Sequence, residues 1–361
     1  MFLALREFKH AKLRFLLISL IMILISFLVL FVSGLAKGLS FDNASSIDSM
    51  ASNYFVLQQD SGKQINHSML TENQINEVQR FVGEENSTTL GVQMTTFLKD
   101  GTSKKIDVTL FGIDVNGLAA PKVIEGDMIN NSTKNEVVGD ISLKEKGIKL
   151  GDSISDQISG REFKVIGFTE NQSYSHAPVI HMNYKEWSMV NSKNSMNVIA
   201  LKTNENTAKQ INEKVSGVEV INKNQTLKGI PGYKEEQGSL LMMIVFLFFI
   251  GAFVLAVFFY IVTIQKINQF GVLKAIGSKT SYLAKNIIFQ VLTLTLLSLL
   301  ISISITFGLS KVLPADLPFV FDAQLIIGSS LLFLIVAIVG SLISLLKVVK
   351  IDAIEAIGRA F

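Results

Sequence analysis

SLLMMIVFLFFIGAFVLAVFFYIVTI, residues Ser239–Ile264, runs for 26 positions without an Asp, Glu, Lys or Arg. As a helix rising 1.5 Å per residue it reaches ~39 Å, enough to cross a hydrocarbon core of ~30 Å. Three further stretches, Phe15–Ala36, Ile287–Leu309 and Leu325–Leu346, are equally free of charge. Backbone polar groups in lipid must be satisfied within the segment, so such stretches span as helices. Between the first and second lies a more polar stretch of about 200 residues. The fold class expected is an α-helical membrane domain of four transmembrane helices, one plus three, with a large extracellular α/β domain inserted between the first and second.

The boundaries follow from charge. A basic segment, 1–14, precedes the helix at 15–36, and the inserted domain covers 37–238. The helix at 239–264 leads into a loop at 265–286, then a helix at 287–309. A short loop at 310–324, a helix at 325–346 and a C-terminal segment at 347–361 complete the chain. Short basic segments stay in the cytoplasm. Arg6, Lys9, Lys12 and Arg14 mark the N-terminal segment. Lys266, Lys274, Lys279 and Lys285 mark the 265–286 loop, and Lys347, Lys350 and Arg359 the C-terminal one. The 310–324 loop sets Lys311 against Asp316 and Asp322. Both termini and the 265–286 loop are therefore expected inside, and the inserted domain outside. The first apolar run is longer than a signal-peptide core and lacks an A-x-A site, so it reads as an anchor.

The net charge of +3 matters less than its sidedness. The chain has no cysteine, which excludes disulfide staples, thiol catalysis and Cys-ligated zinc. The inserted domain is large enough for its own core and for two lobes. Tyr54–Gln58, Thr95–Leu98, Lys105–Phe111 and Phe163–Phe168 read as strands, and Glu72–Val82 and Thr207–Val215 as helices. Gly147, Gly151 and Gly167 are candidates for turns that need positive φ.

No catalytic set emerges. Ser173, Ser175, His176 and Asp156 are the residue types of a hydrolytic triad, but no G-x-S-x-G elbow supports them. His176 and His181 lack carboxylates at metal-ligand spacing, and Tyr174-Ser-His176 before Pro178 is a candidate contact loop. The 265–286 loop is not a phosphate loop: five residues separate Gly271 from Gly277, and Ser278 precedes Lys279. It reads as a surface-lying amphipathic helix. Phe270, Leu273 and Ile276 take one side and Lys274 the other, Gly277 stops it, and Thr280 or Ser281 starts the next helix. Residues 351–357 are a second such piece. Two inward elements suit docking to a soluble motor. No apolar stretch carries an ionisable residue at its middle, so ion-coupled transport is not expected.

Ser19, Ser26 and Ser33 recur every seven residues and permit close helix packing, within the chain or between two copies. Glu236 lies at the edge of the second apolar stretch. It reads equally as a carboxylate favoured by the helix N-terminus and as a polar handle for an amphipathic substrate.

The one-plus-three layout, Phe270-Gly-Val-Leu-Lys-Ala-Ile-Gly277 and Ile351-Asp-Ala-Ile-Glu-Ala-Ile357 resemble the permeases of MacB/FtsX-type (type VII) ABC transporters. Ala353 stands where that family usually has Pro. Leu30–Gly38, Glu236–Val245, Phe258–Ile267 and Tyr174-x-His176 are similar to the heme-efflux permeases of Gram-positive bacteria, the HrtB type. The resemblance implies a multi-pass bacterial cell-membrane protein that is not itself an enzyme. It implies a homodimer joined to two copies of a cytoplasmic ATPase of HrtA type, which binds the ATP. It also implies heme as transported substrate rather than resident cofactor, moved by mechanotransmission, and no nucleic-acid partner. Glu236 is the implied iron contact, facing the dimer interface. Tyr233 and Met242 are candidates for a second ligand, and Phe27, Phe31 and Ser33 for the opposite wall. Phe270, Gly271, Leu273, Lys274, Ile276 and Gly277 are the implied contacts to the ATPase. The same machine with a peptide or lipopeptide cargo, and an FtsX-like regulator of an extracellular hydrolase, are the alternatives.

Overall fold

The computed structural model describes residues 12–101, 104–191, 195–314 and 317–349. Arg6, Lys9, Lys350, Arg359 and the motif at 351–357 lie outside these. The elements run α1 (Lys12–Asp48), β1 (Tyr54–Gln58), α2 (Glu72–Val82), β2 (Ser87–Lys99), β3 (Lys105–Ile113), β4 (Val123–Gly126), β5 (Glu136–Asp140), β6 (Ser153–Asp156), β7 (Glu162–Thr169), β8 (Ser173–Tyr174) and β9 (Ala177–Asn183). Then come α3 (Tyr184–Val190), β10 (Val198–Leu201), α4 (Glu205–Lys214), β11 (Val218–Asn222), α5 (Lys223–Lys228), α6 (Tyr233–Gln265), α7 (Ile267–Ala275), α8 (Thr280–Ser310) and α9 (Ala323–Val349). The chain divides into two compact units, Met1–Gly38 with Gly238–Phe361, and Leu39–Gln237.

In the Leu39–Gln237 unit the alternation of β1 sets up two cores. Val56 faces one way with Ile199, packing with Val78 of α2 and Ile211 of α4. Phe55 and Leu57 face the other way, with Ala200, Ile221, Leu227 and, from the end of α1, Ala44 and Ile47. This lobe is an antiparallel sheet in the order β11-β1-β10-β2. Polar side chains cap its helices: Thr71 and Gln74 form a capping box on α2, and Asn222 and Gln225 form one on α5.

The second lobe closes on itself. β2 pairs with β3, β3 with β9, β9 with β5, β5 with β7, β7 with β6, and β6 returns to the end of β2. The pairs β3/β9 and β5/β7 are parallel. Phe97, Val108, Leu110, Val137, Phe163, Val165, Ile180 and Trp187 fill this ring's core. Gly91 and Gly112 face each other across β2 and β3. Together they open the slot that Trp187 of α3 occupies. A Cβ on Gly91 would lie 2.2 Å from its ring, and one on Gly112 2.4 Å. Gly147 and Gly151 take positive φ in turns as expected, but Gly167 does not. It lies in β7, where the carbonyl oxygen of Asp127 would be 2.4 Å from an added Cβ, so close approach rather than a turn excludes a side chain there.

The other unit holds helices long and apolar enough to cross a membrane, four among the described residues. Met22, Val29, Leu255, Phe259, Val291, Leu294, Phe333 and Ala337 form their common core. The serine stripe of α1 packs within the chain at Ser19 and Ser26. Ser26 Oγ lies 2.5 Å from Ser302 Oγ, and Ser302 Oγ donates to the carbonyl of Ile23 at 2.9 Å. Ser298 Oγ reaches the carbonyl of Ser19 at 3.5 Å. Segment 317–322 straps α1: Val320 N–H donates to the Gly34 carbonyl, and Lys37 pairs with Asp322 at 2.5 Å. α7 departs from the expected amphipathic face. Phe270 is buried and Leu273 half-buried, but Ile276 is 75 % exposed because the helix has ended before it. Gly277 follows at φ +96°, the left-handed stop expected of it. α8 starts at Thr280, as expected, and its N-cap Lys279 makes no side-chain capping bond.

Candidate functional site

α1 continues to Asp48, beyond the apolar stretch, because its last turns bury Ala44 and Ile47 against the Phe55–Leu57 face. That extension brings Ser40, Asp42 and Asn43 into the Leu39–Gln237 unit. A hairpin comes to meet them. Tyr174 of β8 pairs with Ala177 of β9, leaving Ser175 and His176 as a two-residue loop. Both have positive φ, 52° and 60°, the geometry of a type I′ turn that usually takes Asn or Gly. The hairpin is fastened to α1 by backbone donors. Ser175 N–H donates to the Asn43 carbonyl at 2.7 Å, and Ser173 N–H to Ser45 Oγ at 2.9 Å. The third element is the first turn of α6, entered through Gly232 at φ +80°, with Glu235 and Glu236 near its N-terminus.

These elements assemble a polar cluster. Asn43 Nδ2 donates to Glu236 Oε2 and to His176 Nε2, both at 3.0 Å. His176 Nε2 stands 3.3 Å from Glu236 Oε2, and His176 Nδ1 stands 2.7 Å from Asp42 Oδ2. Tyr233 Oη shares a 3.0 Å hydrogen bond with Ser40 Oγ, and its ring packs on the Phe55 core. The side chain of Glu236 is 20 % exposed and that of His176 41 %, so a ligand can reach both.

The structure thus brings Glu236 and Tyr233 to one cluster and leaves Met242 as an outward-facing residue further along α6, 59 % exposed. Phe27 and Phe31 belong to the membrane unit, where Phe27 stacks on Phe31 at a centroid distance of 5.9 Å, Phe31 on Phe319 at 5.3 Å and Phe319 on Phe321 at 6.1 Å. Ser33, half-buried, is on the same helix. The hydrolytic triad does not form. Asp156 is buried in β6 and takes the hydroxyls of Thr95 and Ser159, while the carboxylates at His176 are those of Asp42 and Glu236. Asp42, Asn43 and the pairing of His176 with Glu236 escape sequence reasoning. The one local signal is a polar Ser-Phe-Asp-Asn run directly after an apolar helix.

Two neighbours in the fold are shut away from this cluster. Tyr174 is buried with its hydroxyl unpartnered, and burial pushes its pKa up. His181 is fully buried edge-on to Phe111, and burial pushes its pKa down to about 3.

Residues 241–353 match the FtsX-like permease C-terminal family. The chain is 32 % identical over 356 residues to a protein of Staphylococcus haemolyticus named "Putative hemin transport system permease protein HrtB", covering 99 % of each. It is 32 % identical over 361 residues, again 99 % of each, to the Staphylococcus epidermidis protein of the same name. The chain belongs to the FtsX-like permeases of ABC transporters. Among solved structures, the periplasmic region of MacB from Actinobacillus actinomycetemcomitans aligns at 16 % identity and a TM-score of 0.39, over 52 % of this chain and 97 % of that one. The permease is a multi-pass membrane protein, and as an ABC membrane subunit it implies a partner ATPase.

Proposed function

We propose that this permease exports heme, powered by a separate cytoplasmic ATPase of HrtA type and assembled as two permeases with two ATPases. The observation that carries the reading is the Glu236 cluster: a partly exposed carboxylate beside an imidazole, at the N-terminal turn of the helix whose apolar residues follow. Full-length similarity to two proteins named for hemin transport supports it. A planar amphipathic metal complex needs such a polar contact next to apolar surface.

Both termini lie in the cytoplasm in this reading, as the basic segments require. α7 with Gly271, Leu273, Lys274 and Gly277 receives the ATPase: Phe270 roots it in the membrane core, and Ile276 is exposed. ATP-driven closure of the motors then moves the helices as levers, since no ionisable group in the apolar stretches couples transport to an ion gradient.

The test is hemin extrusion from proteoliposomes holding the permease and its ATPase, with ATP hydrolysis followed in parallel. Hemin should stimulate hydrolysis and leave the membrane in an ATP-dependent manner, and Glu236→Ala should lose both responses. Stimulation by an amphipathic peptide but not by hemin would reassign the cargo. Hydrolysis indifferent to every such cargo would favour a regulator of an extracellular hydrolase.

A further inference from the structure

We propose that segment 172–176 is the bracket through which α1 moves the second lobe, with Ser45 and Gln172 as its positioning residues. The inference rests on α1 acting as a lever in transport, and it names where that lever takes hold.

α1 is one unbroken helix from its apolar stretch to Asp48, so a shift of the helix carries its last turns along. Those turns have two faces. Ala44 and Ile47 are buried in the core of the first lobe. Asn43, Ser45 and Ser49 offer oxygens to segment 172–176. Ser175 N–H donates to the Asn43 carbonyl at 2.7 Å, Ser173 N–H to Ser45 Oγ at 2.9 Å, and Gln172 Nε2 to Ser49 Oγ at 3.1 Å. Apolar contact is non-directional, whereas hydrogen bonds fix position. The segment is therefore the part that must follow α1.

The same segment is fastened to the ring of the second lobe. Gln172 N–H donates to Asp140 Oδ2, at the end of β5, and the Gln172 carbonyl accepts from Val179 N–H of β9, both at 2.8 Å. Thr109 Oγ1 of β3 donates to the Tyr174 carbonyl at 3.3 Å, and the buried Tyr174 ring stands edge-on to Phe111 of the same strand. β9 follows, buried at every position and paired with both β3 and β5. A pull on 172–176 thus reaches an inner strand of the ring.

Strain marks the segment too. Asn171, Ser175 and His176 hold φ of 61°, 52° and 60°, half of the six non-glycine residues with positive φ among those described. Such backbone is unfavourable for residues with a side chain and persists only where surrounding contacts over-determine it. The bonds to α1 on one side and to β3, β5 and β9 on the other supply that determination. A loop that merely joined β7 to β9 would be free to relax or to carry glycine.

The experiment uses the full-length permease with its ATPase in lipid nanodiscs. The chain has no cysteine, so Ile158→Cys and Val312→Cys, at exposed positions, are the sole sites for a pair of spin labels. Ile158 reports the turn between β6 and β7, and Val312 the loop after α8. The distance between them is compared without nucleotide and after trapping with ATP and vanadate. It should shift on trapping in the labelled parent. Ser45→Ala with Gln172→Ala should keep hydrolysing ATP and keep the emission of Trp187, yet lose the shift. Its hemin export from proteoliposomes should fall roughly 2–30-fold, the range of coupling losses at such positions. In the unlabelled chain, Ser45→Cys with Ser173→Cys, oxidised, replaces the 2.9 Å bond by a covalent one and should keep export. A parent-like shift in the alanine variant, or loss of export on oxidising the cysteine pair, would overturn the bracket and leave the heme reading standing. A shift in the parent without hemin export would overturn the heme reading alone, with the distances still deciding the bracket. No shift on trapping would overturn lever and bracket together.

Discussion

Gly112→Ala offers the most direct test of the slot that seats Trp187. The added Cβ would stand 2.4 Å from Trp187 Cγ and 2.5 Å from Cδ2. Carbon pairs settle at ~3.5–4.0 Å, so the indole must retreat by about 1 Å. It has little room to do so: Trp187 is fully buried, and its Nε1–H donates to the Ser195 carbonyl at 3.3 Å. Overpacking of this kind costs roughly 1–3 kcal/mol. Gly91→Ala presses the same ring, its Cβ 2.2 Å from Cε2. The double variant should therefore cost less than the sum of the two, because a ring already displaced by one methyl has less to lose to the second. Trp187 is the only tryptophan in the chain, so its emission reports this unit and not the membrane helices. Urea unfolding of the full-length protein in detergent, read by that emission, gives each difference in stability. Hydrogen exchange of β2 and β3 peptides checks the result by an independent route. Gly112→Ala within about 0.5 kcal/mol of wild type, with unshifted emission, would refute the slot.

Further outcomes follow from other contacts. His181 is neutral and buried, its folded pKa of about 3 lying below the unfolded value of 6.5. Its contribution to stability is complete above pH ~6.5 and is lost as pH falls, because only the unfolded chain takes up the proton readily. The loss reaches roughly 4 kcal/mol by pH ~3, and His181→Phe should flatten the pH profile of unfolding over that window. Ser302→Ala should cost about 0.6 kcal/mol by removing the bond to Ser26, and Ser302→Leu clearly more by forcing α1 and α8 apart. Equal melting temperatures for the two variants would contradict the close seam. Lys37→Ala should change stability by less than about 1 kcal/mol, since that pair with Asp322 is exposed. Gly38→Leu should be far more damaging, because its Cβ would meet the Pro318 carbonyl oxygen at 2.2 Å. The reverse order of melting temperatures would sink the account of the strap.

Several features were legible from local pattern alone. Charge-free runs of more than 20 residues have one low-energy solution in a bilayer, and the four helices follow from them. The alternation of Tyr54–Gln58 and the helical spacing of Glu72–Val82 match β1 and α2 residue for residue. Gly277 stops α7 as its position after Lys274-Ala-Ile suggests.

What local pattern could not reach are the features made by residues far apart in the chain. The end of α1 is helical because of Ala44 and Ile47, two residues whose value lies in a core built mainly from strands that follow. The closed ring of β2, β3, β9, β5, β7 and β6 depends on pairings that skip along the sequence. Asp42 and His176 are 134 positions apart, and Asn43 and Glu236 193. No periodicity links such residues. Sequence alone therefore determined the membrane layout, through desolvation of the backbone within single segments. Tertiary structure decided which carboxylate meets which imidazole, because only the packing of α1, the β8–β9 hairpin and α6 brings Asp42, His176 and Glu236 within hydrogen-bond reach.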